Sequence, residues 1–166
     1  MGKHGLALAV VACCLLGACG SKSSSSGTAD TPGITASTTP RAACGKYQDG
    51  KGGVLRTFCD GTAKVLVTAG GVKYTVSGGT CDLLGGYFNL NAGVVTSASF
   101  AGTKPDYIGL LLPTKAGPFT RATATVTVGG KGYALVENKG THDSKSGQIH
   151  GTSYGDKVQV DATFTC

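Results

Sequence analysis

From residue 158 to residue 166 the chain alternates without a break, Val158, Val160, Ala162, Phe164 and Cys166 against Gln159, Asp161, Thr163 and Thr165. Successive side chains of a strand point to opposite faces, so these nine residues predict a strand buried on one face only. The same pattern recurs in Ala122, Ala124, Val126 and Val128 against Thr123, Thr125 and Thr127. Gly129 and Gly130 follow, and residues 133–136 then read as the return arm of a hairpin whose glycines supply positive φ. Residues 65–68 and 72–76 flank Gly70 and Gly71 in the same way. Further strands are expected at 54–58, 87–90, 94–100 and 107–112, with turn residues between most of them.

Composition argues in the same direction. The 166 residues include 28 glycines and a single glutamate, Glu137, with no tryptophan and one methionine. Such a chain lacks the residues that clothe helical surfaces, while Thr and Val suit a pleated sheet. Strands recurring every 8 to 12 residues or so predict an all-β, antiparallel sandwich or barrel-like single domain. The run Tyr107, Ile108, Gly109, Leu110, Leu111, Leu112 does not alternate in hydrophobicity. It is expected to be a central strand covered on both faces; the alternative is the lining of a lipid groove together with Tyr87 and Phe88.

The N-terminus carries a different signal. Lys3 and His4 precede an apolar run over 6–16, which is followed by Gly17, Ala18 and Cys19. Eleven apolar residues are too few to span a bilayer and fit an export signal. Leu16, Gly17 and Ala18 before Cys19 resemble the lipobox of bacterial lipoproteins, which implies cleavage between Ala18 and Cys19 and a diacylglyceryl thioether on Cys19. Two long acyl chains hold a protein on a membrane where one is marginal. Residues 20–43 are rich in Ser, Thr and Gly, with Pro32 and Pro40, and contain one large aliphatic, Ile34. They cannot bury a core and read as a tether. The expected organisation is a signal peptide over 1–18, a lipidated tether over 19–43 and a folded domain over 44–166.

Besides Cys19, the exported part holds Cys44, Cys59, Cys81 and Cys166. An even number outside the cytoplasm implies two disulfides, with three connectivities open. Cys44 with Cys59 and Cys81 with Cys166 is favoured. The first closes a local loop poor in apolar residues, and the second ties an interior turn to a terminal strand that would otherwise fray. Zinc is disfavoured by the spacing of Cys44 and Cys59.

Chemistry is hard to find. The exported part has two imidazoles, His142 and His150. A nucleophile set can be written from Ser144, His150 and Asp143, and a metal site from His142, Asp143 and His150, but neither is accompanied by a recognisable motif. The preferred reading makes both histidines solvent-facing, on a loop and a strand. One glutamate leaves no carboxylate pair for glycoside chemistry. No Gly-rich segment continues into a phosphate loop, and the lysines are scattered, which disfavours nucleic acid. The expectation is a protein without catalytic, cofactor or metal residues.

The lipobox Cys19, the Ser/Thr-rich tether and the segment 72–81 are followed by Gly85, Gly86, Phe88, Asn89 and Leu90. With Gly130, Tyr133 and the alternating ending at 158–166, they resemble actinobacterial surface lipoprotein antigens of the LpqH type, over about 63–166 plus the export signal. The resemblance implies a β-rich, non-enzymatic envelope lipoprotein, anchored by its acyl chains on the outer face of the cell membrane. It further implies a bond between Cys81 and Cys166, and sensing of the acylated terminus by host Toll-like receptor 2. Cys44 and Cys59 and the apolar stretch at 107–112 depart from the family pattern. Two other roles follow from the residues. One is an envelope lipid or glycolipid binder lined by Tyr87, Phe88, Tyr107, Ile108, Leu110, Leu111 and Leu112. The other is an inhibitor of an envelope hydrolase presenting an exposed loop at 44–59 or 142–150.

Overall fold

The computed structural model describes residues 44–166. After a short 3-10 turn, Cys44–Lys46, come ten strands: β1 Val54–Phe58, β2 Ala63–Ala69, β3 Val72–Leu84, β4 Tyr87–Thr96, β5 Tyr107–Pro113, β6 Gly117–Thr120, β7 Thr123–Val128, β8 Lys131–His142, β9 Ser146–Ser153 and β10 Gln159–Thr165. Eight of them, β2, β3, β4, β5, β7, β8, β9 and β10, pair antiparallel in that order. Closure comes from β10 pairing back onto β2, with Val160 opposite Ala69 and Thr165 opposite Lys64. The domain is therefore an eight-stranded antiparallel barrel. Two strands lie outside the circuit, β1 on β4 and β6 on β8.

Alternation decides which side chains go inside. Val65, Val67, Phe88, Leu90, Ile108, Leu110, Leu112, Val126, Val128, Ile149, Val160 and Phe164 all point inward and belong to one buried cluster. An eight-stranded barrel is just wide enough for its own side chains to fill it. Burying each Leu, Ile, Val or Phe of this kind contributes about 1.5–3 kcal/mol relative to leaving it exposed. A smaller cluster of Cys44, Val54 and Val94, with Tyr47, Cys59 and Phe100 against it, lies beneath the N-terminal segment and β1.

Strand β3 changes partner halfway. Residues up to Gly79 pair with β2, and those from Thr80 pair with β4. Two glycines allow this corner. Gly78 has φ +87°, and a side chain there would collide with the Cys59 carbonyl, while one on Gly79 would strike Asn91 and Ala92. A second irregularity lies in β8, where the register shifts between Val136 and Lys139 and Glu137 has φ +48°. Asn138, 3 % exposed, fills the gap in the ladder. Its Oδ1 accepts from the Ala122 amide at 2.8 Å, and its Nδ2 donates to the Ala122 carbonyl at 2.7 Å and to the Leu135 carbonyl at 3.1 Å. The side-chain amide thus replaces a backbone amide that the bulge has displaced.

Several expectations are revised. Residues 87–96 form one strand, where a break was expected around Asn91. The asparagines support that strand: Asn89 is buried and its Nδ2 donates to the Leu84 and Tyr87 carbonyls. Residues 97–100 lie outside it. Strands β6 and β9 carry no strong sequence pattern. In β9 the inward positions are Gly147, Ile149, Gly151 and Ser153, so only one large apolar residue marks the buried face. The glycines are steric requirements, since a Cβ on Gly147 would sit 2.6 Å from the Phe164 ring and one on Gly151 would sit 2.9 Å from Asn138.

Both disulfides take the favoured pairing. Cys44 is bonded to Cys59 with Cα atoms 6.1 Å apart, and Cys81 to Cys166 with Cα atoms 5.8 Å apart. Cys81 lies within β3 and not in a turn, so the second bond ties the residue after β10 to a strand. Their sequence separations are 15 and 85 residues. On the loop-entropy account, loops of these sizes contribute about 3 and 4.5 kcal/mol. Cys19 and Ala18 fall outside the described residues.

Candidate functional site

The apolar stretch that suggested a lipid groove is a wall of the barrel with two separate faces. Phe88, Ile108, Leu110 and Leu112 are at most 3 % exposed and belong to the core. Tyr87 and Leu111 project outward and are exposed, and Tyr107 lies on the same outer face. Residues on opposite sides of one sheet cannot line a common cavity, so the seven do not form the expected pocket. Nor is β5 covered on both faces; it alternates, with Gly109 and Leu111 taking outward positions that composition alone disguised. Tyr107 lays its ring over Gly109, and its hydroxyl donates to Asn91 Oδ1 at 2.8 Å. Burial holds its phenol above the usual range.

The two histidines of the hypothetical metal set are kept apart by the barrel wall. His142 ends β8 on the inner face, whereas His150 occupies an outward position of β9. The expectation that both face solvent fails for His142, which is 3 % exposed. Its ring stacks on Phe88 with centroids 5.2 Å apart and lies 5.9 Å from Phe119. Its Nδ1 receives a long bond from the Ser144 amide at 3.4 Å, and its Nε2 has no partner among the described residues. Asp143 is engaged locally. Its Oδ1 accepts from the amides of Lys145 at 3.0 Å and Ser146 at 2.6 Å and from the Ser146 hydroxyl at 3.1 Å. These bonds, led by the Lys145 amide, hold its carboxyl below the usual range. Among the described residues no group of three or more His, Cys, Asp or Glu side chains is placed to hold a metal ion.

What the barrel does assemble is a pair that the sequence left unmatched. His150 and Asp161 stand directly opposite each other across β9 and β10, with Nδ1 2.6 Å from Oδ1. They are 47 % and 54 % exposed. An exposed pair of this kind adds at most about 1 kcal/mol to stability. Its importance is orientation, because a carboxylate on Nδ1 fixes the ring and leaves Nε2 facing outward. The pair borders an outer groove of about 370 Å³ that also involves Leu66, Lys73, Tyr74, Thr75 and Thr163. Such a surface offers an ammonium, an imidazole–carboxylate pair and threonine hydroxyls beside an aliphatic patch, a combination suited to a hydroxyl-bearing ligand. Asp161 occupies a polar position of the alternating β10, but His150 lies in β9, whose glycines hide its alternation, so both that strand and its register were hidden in the sequence. A second groove, of about 220 Å³, lies between the N-terminal segment, at Cys44, Lys46 and Tyr47, and the wall formed by Thr75, Val94 and Asp106.

Comparison with protein-family models, with curated proteins and with solved structures returned no match to this chain.

Proposed function

We propose that the chain is a membrane-anchored envelope lipoprotein of the LpqH antigen type, whose barrel is a non-catalytic binding or display module on the extracytoplasmic side. The reading rests on the placement of the cysteines. Cys19 stands behind Leu16, Gly17 and Ala18 at the end of an export-type segment, and the four cysteines of the barrel are all taken up in disulfides. Disulfides persist in oxidising compartments, and a thiol left over at the head of an exported chain is the atom that lipidation needs.

The interior supports display over enclosure, because its inward positions are occupied by the barrel's own side chains. A partner would meet the outer wall, where the groove beside His150 and Asp161 sets polar side chains next to an aliphatic patch. Acyl chains on Cys19 would also be the element sensed by Toll-like receptor 2, as the family resemblance implies.

Intact mass of the native protein, with and without Cys19→Ala, tests the reading. The expected result is a chain beginning at Cys19 that carries diacylglyceryl mass, and a variant that incorporates no labelled palmitate. A native chain beginning elsewhere without lipid mass would refute it.

A further inference from the structure

The far end of the β3–β4 hairpin presents large apolar side chains that the fold does not use. Residues 80–84 of β3 pair with β4 alone, since β2 begins at Ala63 opposite Gly79, so this arm runs past its other neighbour. Gly85 and Gly86, with φ +62° and +79°, make the two-residue turn. Leu84, 71 % exposed, stands opposite Tyr87, 53 % exposed, on the outer face that Leu111 of adjacent β5 shares, while Leu83, 65 % exposed, stands opposite Phe88 on the other face, so the tip is apolar on both sides. The turn itself requires only its glycines, so two leucines beside it need another reason.

The surroundings of the tip indicate what that reason is. The Thr114 hydroxyl donates to the Gly86 carbonyl, which sets Lys115 beside the tip. The Lys145 carbonyl accepts from the Cys166 amide at 2.7 Å, and Cys166 is bonded to Cys81, so a second lysine belongs to the same end. The acidic groups there are Asp82, exposed on the hairpin, and Asp143, whose carboxylate accepts from the Lys145 and Ser146 amides and keeps its charge, so two carboxylates balance the two lysines. Leucines on both faces of a tip, with a tyrosine beside them and charges of both signs behind, match a bilayer surface in depth: acyl boundary, then headgroup level.

We propose that this end of the barrel docks on a lipid bilayer, Leu83 and Leu84 entering the acyl boundary and Tyr87 lying at the headgroups, with Lys115 and Lys145 at the level of the lipid phosphates. A hairpin end is a poor match for a second copy, because a stable protein interface takes about 800 Å² from each partner and these four side chains expose roughly half of that. The contact belongs to the domain and does not depend on Cys19. It is compatible with an anchor there, since the 24 residues between Cys19 and Cys44 reach up to about 80 Å when extended.

Residues 20–166 contain the whole closed barrel with its core and both disulfides and lack Cys19, so they test the domain without the anchor. They are expected to co-sediment with vesicles of phosphatidylcholine and with vesicles of phosphatidylcholine containing phosphatidylglycerol to a similar extent, with little dependence on salt. Leu83→Ser with Leu84→Ser is expected to weaken partitioning roughly thirtyfold or more, with an unchanged melting transition. Leu84→Trp is expected to shift its emission to the blue on binding. No binding to either vesicle, or equal binding by the double serine variant, would overturn the proposal. So would a vesicle-free dimer that the serine variant abolishes, which would assign the tip to a second copy.

Discussion

His142 lies against Phe88 with ring centroids 5.2 Å apart and planes 24° apart, inside the barrel, with a buried Nε2 that no group among the described residues partners. An unsatisfied buried polar atom costs about 1–3 kcal/mol, and the stacking does not need the nitrogen. His142→Phe keeps the contacts to Phe88 and Phe119 and removes the orphan. The variant is expected to gain about 1 kcal/mol, read as a higher urea midpoint with an unchanged m-value. A lower midpoint would mean that Nε2 has a partner, such as a held water, whose loss outweighs the gain.

Asn138 presents the opposite case, a buried polar group with every bond made. Its amide closes a reciprocal pair with the Ala122 backbone and a third bond to Leu135. Asn138→Ala leaves the Ala122 amide and carbonyl without partners at the place where β8 is already out of register. The expected loss is about 2–4 kcal/mol. Asn138→Asp keeps the acceptor for the Ala122 amide but loses both donated bonds, so it too is expected to destabilise. Urea denaturation of the three proteins measures this; an alanine variant as stable as the parent would show that the bulge does not depend on its clamp.

The two residues also show how far the sequence could be read. Strands β10 and β7 are legible because large apolar and small polar residues alternate along them, and the bounds of β1 fall where expected. β9 is obscured by Gly147 and Gly151, which are small because Phe164 and Asn138 occupy the space in front of them. Asn89 and Asn91 suggest a break, yet in β4 they bond their surroundings and continue the strand. Alternation says which face a residue takes but not which strand lies beside it. Closure of β10 onto β2, and with it the choice of a barrel over a sandwich, lay beyond reach. The same limit hid the meeting of His150 with Asp161 and the separation of His142 from His150 by the wall, since both depend on register and face together.

Tyr107 makes stability depend on alkaline pH in a direction that can be worked out. Its hydroxyl donates to Asn91 Oδ1, and burial raises its pKa above that of an ordinary phenol. In the unfolded chain the phenol loses its proton near pH 10, while the folded form still holds it. Between those two values the folded state binds more protons, so stability falls as pH rises. Below about pH 10 the contribution is fully present. Tyr107→Phe removes the bond to Asn91 and is expected to cost about 1 kcal/mol at neutral pH. It also removes this titration, so the gap between parent and variant is expected to narrow as pH rises past about 10. The other five tyrosines are common to both proteins and cancel in the difference. Urea midpoints of the pair at neutral pH and near pH 11 decide it; a gap that stays constant or widens would show that the Tyr107 phenol ionises no later in the folded protein than in the unfolded chain.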